Sequence, residues 1–366
     1  MNTNNQELFY KLVSAGLWKQ ASANLSLDLN INDNEDWEEV YRLAEEQSVI
    51  GLVLAGIEHS NVKPPQELQL QWIGKVQILE QQNKAMNAFI AELIEKLRNA
   101  DIYALLVKGQ GIAQCYERSL WRACGDVDLL LSDSNYEKAK SFLTPLADHV
   151  DPEESVMKHL GMTMGGWIVE LHGTMHTEIS PRVNWGIDEV QGACLKKDGV
   201  RSWDNGGTKV LLPSPDNDVI LVFTHFLEHF FVEGVGLRQV CDWCRLLWTC
   251  RSELDLQLLE SRIKKMGLMT IWKAFGSMAV EVLGMPSDSM PFYDSRYHKK
   301  GQRVLARIMK SGNMGHNNDL SYRVKYSGLT YKLVAFCRRI KDFAGFTMIF
   351  PIDAPKFFVH YVFRKI

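Results

Sequence analysis

Residues 104–132 read ALLVKGQGIAQCYERSLWRACGDVDLLLS, and this stretch decides the fold. It opens with Ala104-Leu105-Leu106-Val107, an apolar run of strand length. Lys108-Gly109-Gln110-Gly111 stops that run, and its glycines allow a tight turn and a close backbone approach to a ligand. The pattern predicts a short helix over about 112–118. A second apolar run over 127–131 is entered through Gly125-Asp126-Val127-Asp128. Aspartates at i and i+2 of a strand face the same way, with Cα atoms roughly 6.5–7 Å apart. Ionised carboxylates beside so apolar a strand are costly unless paired or bound to metal. Two arrangements answer that cost. In one, Asp126 and Asp128 hold a hard cation, Mg²⁺, as one ion or two. In the other, Asp126 caps a turn and Asp128 pairs with a nearby arginine such as Arg122.

The order strand, glycine turn, helix, then Gly-Asp-x-Asp opening a strand resembles the DNA polymerase β-type nucleotidyltransferase superfamily. More narrowly, Val107-Lys108-Gly109 followed by Arg122-Ala123-Cys124-Gly125-Asp126-Val127-Asp128-Leu129-Leu130-Leu131 is similar to an uncharacterised bacterial nucleotidyltransferase family with the same Lys-Gly and Arg-x-x-Gly-Asp-x-Asp-Leu-Leu pattern. The likeness covers about residues 80–250. It implies an α+β, polymerase β-like core with a small mixed sheet, acting on an NTP with Mg²⁺. In the superfamily a third carboxylate comes from a later strand. Glu170, inside the apolar run Trp167-Ile168-Val169-Glu170-Leu171-His172, matches by order and context. The resemblance thus implies Asp126, Asp128 and Glu170 as metal ligands and catalytic residues, with Glu170 also able to take a proton from the acceptor. Lys108, Gly109, Gln110 and Arg122 would bind the nucleotide phosphates. One departure stands out: the superfamily turn is Gly-Gly or Gly-Ser, whereas Gly109 is followed by Gln110.

Other residues cluster near these in the pattern. His172 shares the face of Glu170 by period two, and His172 and His176 are either metal ligands or ordinary hydrogen-bonded histidines. His225 and His229 form an i,i+4 pair on one helix face, but Phe226 stands where a zinc-protease helix carries Glu. Arg238 and Asp242 follow at the start of the next helix. These four either reach the cleft or form a buried polar network joining two helices.

The chain of 366 residues is long enough for two or three domains. We divide it into an N-terminal helical region (1–98), a core (99–214) and a C-terminal helical region (215–366). In the first, Pro64-Pro65 precedes a long helix over about 66–99. Residues 173–212 read as an irregular insertion, and Pro213-Ser214-Pro215 marks a boundary. The tail, residues 321–366, interleaves basic residues such as Arg338, Arg339, Lys341 and Lys356 with aromatic ones. It reads as a packed amphipathic helix or as a surface for nucleic acid or an anionic membrane. The run from Phe343 to Ile352 is apolar enough to need a partner surface.

A net charge of −3 gives no general drive toward nucleic acid, so a small molecule, a sugar or a protein is the expected acceptor. The 7 scattered cysteines include only one Cys-x-x-Cys, Cys241 and Cys244, on a helical pattern. They read as buried thiols in a reducing, cytoplasmic setting. The opening Met1-Asn2-Thr3-Asn4-Asn5-Gln6-Glu7 has no signal-peptide pattern, and no apolar run is long enough to span a membrane. Two other readings of the chain follow from these features. One is a catalytically degenerate nucleotide-binding or interaction protein, suggested by Gln110. The other is a membrane-peripheral component of polysaccharide synthesis, suggested by the tail.

Overall fold

Two apolar strands pair at one side of the central sheet and position the elements around them. In the computed structural model, which describes residues 3–18, 36–60, 62–315, 317, 325 and 328–365, β1 (Ala104–Val107) pairs antiparallel with β2 (Asp126–Leu131). Strand β2 pairs parallel with β5 (Trp167–His172). Beyond β5 lie β4 (His159–Met164) and β3 (His149–Val150), each antiparallel to its neighbour. The result is a five-stranded mixed sheet of order β1-β2-β5-β4-β3 in an α+β fold, as the family likeness implied.

The period-two alternation of β2 sorts its side chains between two cores. Val127, Leu129 and Leu131 face one core, with the C-terminal half of α4 (Gln66–Asn99) and with Tyr136, Ala139 and Leu143 of α6 (Asp133–Leu143). Asp126, Asp128 and Leu130 take the other face, where Leu130 joins the larger helical core. Burying each leucine contributes about 2 kcal/mol. A one-residue slip of β2 would exchange the faces and drive Asp128 into the first core. The hydrophobic pattern therefore fixes where the carboxylates emerge.

The short helix begins earlier than its periodicity indicates. Helix α5 spans Gly109–Ala113, and a 3₁₀ turn follows at Ser119–Trp121. The cause lies in the turn: Lys108 (φ 58°) and Gly109 (φ 42°) reverse the chain at once, so the helix starts on the glycine. The stretch read as irregular, 173–212, holds helix α7 (Pro181–Cys194) and the hairpin β6 (Val200–Asn205) and β7 (Thr208–Pro213). Ser180 caps α7 by accepting the Val183 N–H at 3.2 Å, and Pro181 occupies its first turn. Strand β7 packs beside β1, while Gly206 and Gly207 at positive φ form the hairpin turn.

Helices α1 (Thr3–Leu17), α2 (Trp37–Glu46) and α3 (Ile50–Glu58) form the N-terminal layer on α4. On the far side come α8 (Pro215–Val232), α9 (Leu237–Thr249), α10 (Leu256–Met266), α11 (Met269–Glu281) and α12 (His298–Ser311). Cys241 and Cys244 are buried free thiols on α9. Two helices end the chain, α13 (Gly328–Ile349) and α14 (Asp353–Lys365). Phe343, Phe346 and Phe350 of this region are buried against Phe230 and Phe231 of α8, so the apolar run finds a partner surface within the chain. Residues 318–324 and 326–327 of the approach to and start of the tail, and Met1 and Asn2 of the opening segment, lie outside the described residues. No helix among the described residues is long and apolar enough to cross a membrane.

Candidate active site

The parallel register of β2 and β5 sets Asp128 opposite Glu170. Asp126, two residues before Asp128, shares that face. Oxygens of Asp126, Asp128 and Glu170 all lie within 4.8 Å of one another. The turn after β1 brings a counter-charge to them. Lys108 adopts φ 58°, ψ −149°, a region that glycine alone enters freely, and its side chain crosses to β2. Its Nζ lies 2.6 Å from Asp128 Oδ1. His172 Nε2 lies 2.9 Å from the same oxygen. Asp128, only 1% exposed, thus has two partners. Glu170 Oε2 stands 3.4 Å from His172 Nε2 and 3.3 Å from His159 Nε2. His159 and His172 are cross-strand partners in β4 and β5, with rings stacked at 4.9 Å.

The charges act on one another strongly because the site is largely out of water. Asp128 and then burial push the Asp126 carboxyl up. Burial also opposes ionisation of Glu170, but the His159 and His172 imidazoles and Lys108 outweigh it and hold that carboxyl well below the usual range. Burial works against the Lys108 ammonium, yet Asp128, Glu170 and Asp126 keep its pKa above the ordinary value. His172 is likewise raised: burial opposes its charge, and Asp128 and Glu170 override that. His225 goes the other way. Burial, Lys108 and His229 lower it well below the ordinary histidine value, so it is neutral at neutral pH.

These side chains open into a cavity of about 2140 Å³. His225 Nε2 lies 3.5 Å from Lys108 Nζ and 3.2 Å from His229 Nε2, and His229 Nδ1 is 3.1 Å from Glu233 Oε2. Helices α12 and α13 supply the opposite wall, including Arg307, Lys310, Arg338 and Lys341. Arg307 is paired with Asp342 at 2.7 Å.

The other sequence-predicted residues are placed differently. The Gln110 side chain is buried and turns away from the carboxylates, donating to Asn83 Oδ1 of α4 at 2.7 Å. Arg122 lines the cavity, but its guanidinium is committed to Asp242, with Nε to Oδ1 at 2.8 Å and Nη2 to Oδ2 at 2.7 Å. Tyr116 donates to the same Asp242 Oδ1 at 2.8 Å. Arg122 is not the partner of Asp128: Lys108 holds that place. Arg238 donates to Ala123 O at 2.6 Å, so it braces the loop before Asp126. His176 pairs with Asp188 of α7 at 2.6 Å, apart from His172. His159 is the residue that sequence reasoning missed. The signal that would have found it is strand pairing, since its own neighbours, Lys158 and Leu160, carry no motif.

Three carboxylates with an all-oxygen donor set suit a hard divalent cation, and the ammonium docked on Asp128 shows that the site calls for positive charge. The residues present therefore fit a metal ion. Sheet and site together define an α+β protein with a clustered carboxylate triad beside a glycine turn. A family model described as uncharacterised nucleotidyltransferase matches residues 33–284, and the chain belongs to that family. No curated protein and no solved structure matches the chain.

Proposed function

We propose that the chain transfers a nucleoside monophosphate from an NTP to an acceptor hydroxyl, on a polymerase β-type nucleotidyltransferase core. The observation that carries this reading is the convergence of Asp126, Asp128 and Glu170 in one cleft of a chain of this family. Mg²⁺ held by those three carboxylates would neutralise charge on the triphosphate oxygens. Lys108 adds a point charge at the same floor, next to where phosphates enter. The acceptor oxygen forms a bond to the α-phosphorus, the bond between that phosphorus and the α,β-bridging oxygen breaks, and pyrophosphate leaves. Despite burial, His159, His172 and Lys108 hold the Glu170 carboxyl low, which favours the anionic form that a metal ligand needs. Neutral His225 is better suited to take the acceptor proton. Arg122 and Asp242 act by fixing the loop that carries Asp126.

One observation favours a second reading. Lys108 Nζ already occupies cation distance from Asp128, as in a nucleotide-binding protein that has exchanged metal for a lysine. Incubation with α-labelled NTPs, Mg²⁺ and a small-metabolite pool separates the two. Label transfer with pyrophosphate release, lost in Asp126→Asn, supports the transferase. NTP binding that is indifferent to Mg²⁺, without turnover, supports the second reading.

A further inference from the structure

We propose that His159, Glu170 and His172 form a second metal site, of mixed nitrogen and oxygen donors, that takes a borderline divalent ion such as Zn²⁺. Donor atoms of these three residues lie within 4.8 Å of one another. His159 and His172 face each other on two paired strands, and Glu170 lies two residues before His172 on the same face, so the sheet itself fixes their separation. His172 Nε2 also lies 2.9 Å from Asp128 Oδ1, a contact that a bound ion would replace, whereas its contact and that of His159 with Glu170 are longer. Glu170 Oε2 stands 3.3 Å from His159 Nε2 and 3.4 Å from His172 Nε2. Ordinary N–H···O bonds span about 2.7–3.2 Å. A tetrahedron with metal bonds of about 2.0–2.1 Å has edges of about 3.3–3.4 Å. Both contacts match the edges of such a shell.

An independent observation points the same way. His159 Nε2 is shielded from water, on a side chain 31% exposed, and finds no hydrogen bond of ordinary length, with Glu170 Oε2 at 3.3 Å. A buried polar atom without a partner is uncommon, and an ion would satisfy it. Imidazole nitrogens favour Zn²⁺ and its neighbours over Mg²⁺, so this set and the all-oxygen set of Asp126, Asp128 and Glu170 select different ions. Glu170 belongs to both. Occupation of the histidine set therefore orients the carboxylate that the other set uses. The inference does not depend on nucleotidyl transfer, since it concerns metal affinity alone.

The test uses the full chain, stripped with a chelator, titrated with Zn²⁺ against a chromophoric competitor and examined by zinc-edge X-ray absorption. The wild type is expected to bind Zn²⁺ with two imidazoles in its shell. His159→Gln is expected to weaken binding at least about tenfold, with circular dichroism unchanged, while Asp126→Asn keeps the site. No Zn²⁺ retained by the wild type, an oxygen-only shell, or equal affinity in His159→Gln would each overturn the assignment. The absorption spectrum of the wild type decides the matter even if the variant fails to fold.

Discussion

Lys108 Nζ meets Asp128 Oδ1 at 2.6 Å on the floor of the cleft, where the Asp128 side chain is 1% exposed. The chain thus balances a buried carboxylate with its own ammonium and uses a backbone conformation costly for lysine to do so. Removing Lys108 leaves that buried charge to His172 alone, at 2.9 Å. Lys108→Met should therefore lose about 3 kcal/mol of stability. Mg²⁺ binding to the triad should restore part of it, because a ligand of the native state stabilises that state. Urea unfolding with and without Mg²⁺ measures both effects. Equal stability of variant and wild type, with no response to Mg²⁺, would contradict the pairing.

Asp126 gives a pH-dependent prediction. Its carboxyl is pushed up by Asp128 and by burial, so the ionised form is disfavoured in the fold. Below the unfolded pKa, about 3.9, both states are protonated and there is no cost. The cost grows as pH rises through the higher folded pKa. In metal-free protein, Asp126→Asn should accordingly raise Tm at neutral pH and change it little near pH 4. A calorimetric pH series checks this, and a lower Tm for the variant at neutral pH would contradict it.

Arg122 and Asp242 are buried and joined by two parallel hydrogen bonds, with Tyr116 as a third partner. Arg122→Ala should cost about 3–5 kcal/mol, and Arg122→Lys should not recover the two-pronged contact. Asp242→Asn should behave alike, and the double variant should lose much less than the sum. Denaturant titrations of the cycle read this directly. Additive losses would mean that the two residues act separately.

On the proposed mechanism, the neutral His225 sets the acid limb of turnover. Burial, Lys108 and His229 all lower its pKa, so the limb of kcat/KM should lie below the ordinary histidine value of about 6.5. His225→Gln should remove the limb along with most of the rate. A limb at or above that value, or one that survives the substitution, would exclude His225 as the proton acceptor.

The aspartate pair was legible because strand periodicity is local: Asp126 and Asp128 share a face by period two. Glu170 was reached through the family resemblance, as a later carboxylate inside an apolar run of strand length. The counter-charges were less legible. Lys108 reaches Asp128 only because the turn takes a positive φ that sequence does not announce at a lysine. The Arg122–Asp242 pair joins residues 120 positions apart, beyond any local pattern. Gln110 looked like part of a phosphate turn, but α5 begins at Gly109 and rotates that side chain onto Asn83. Helix α7 was hidden by Trp185, Gly186 and Gly192, although Ser180 and Pro181 are a start signal. The buried aromatic contacts of α13 with α8 depend on tertiary packing that its amphipathic pattern leaves open.

The central claim is that the triad binds a metal-bound nucleoside triphosphate. The most direct measurement is the Tm of wild type and Asp126→Asn with each NTP, in Mg²⁺ and in chelator. A rise for the wild type that needs both NTP and Mg²⁺, and that Asp126→Asn loses while remaining folded, is the predicted result. A folded wild type whose Tm no NTP moves, with or without Mg²⁺, would contradict the claim.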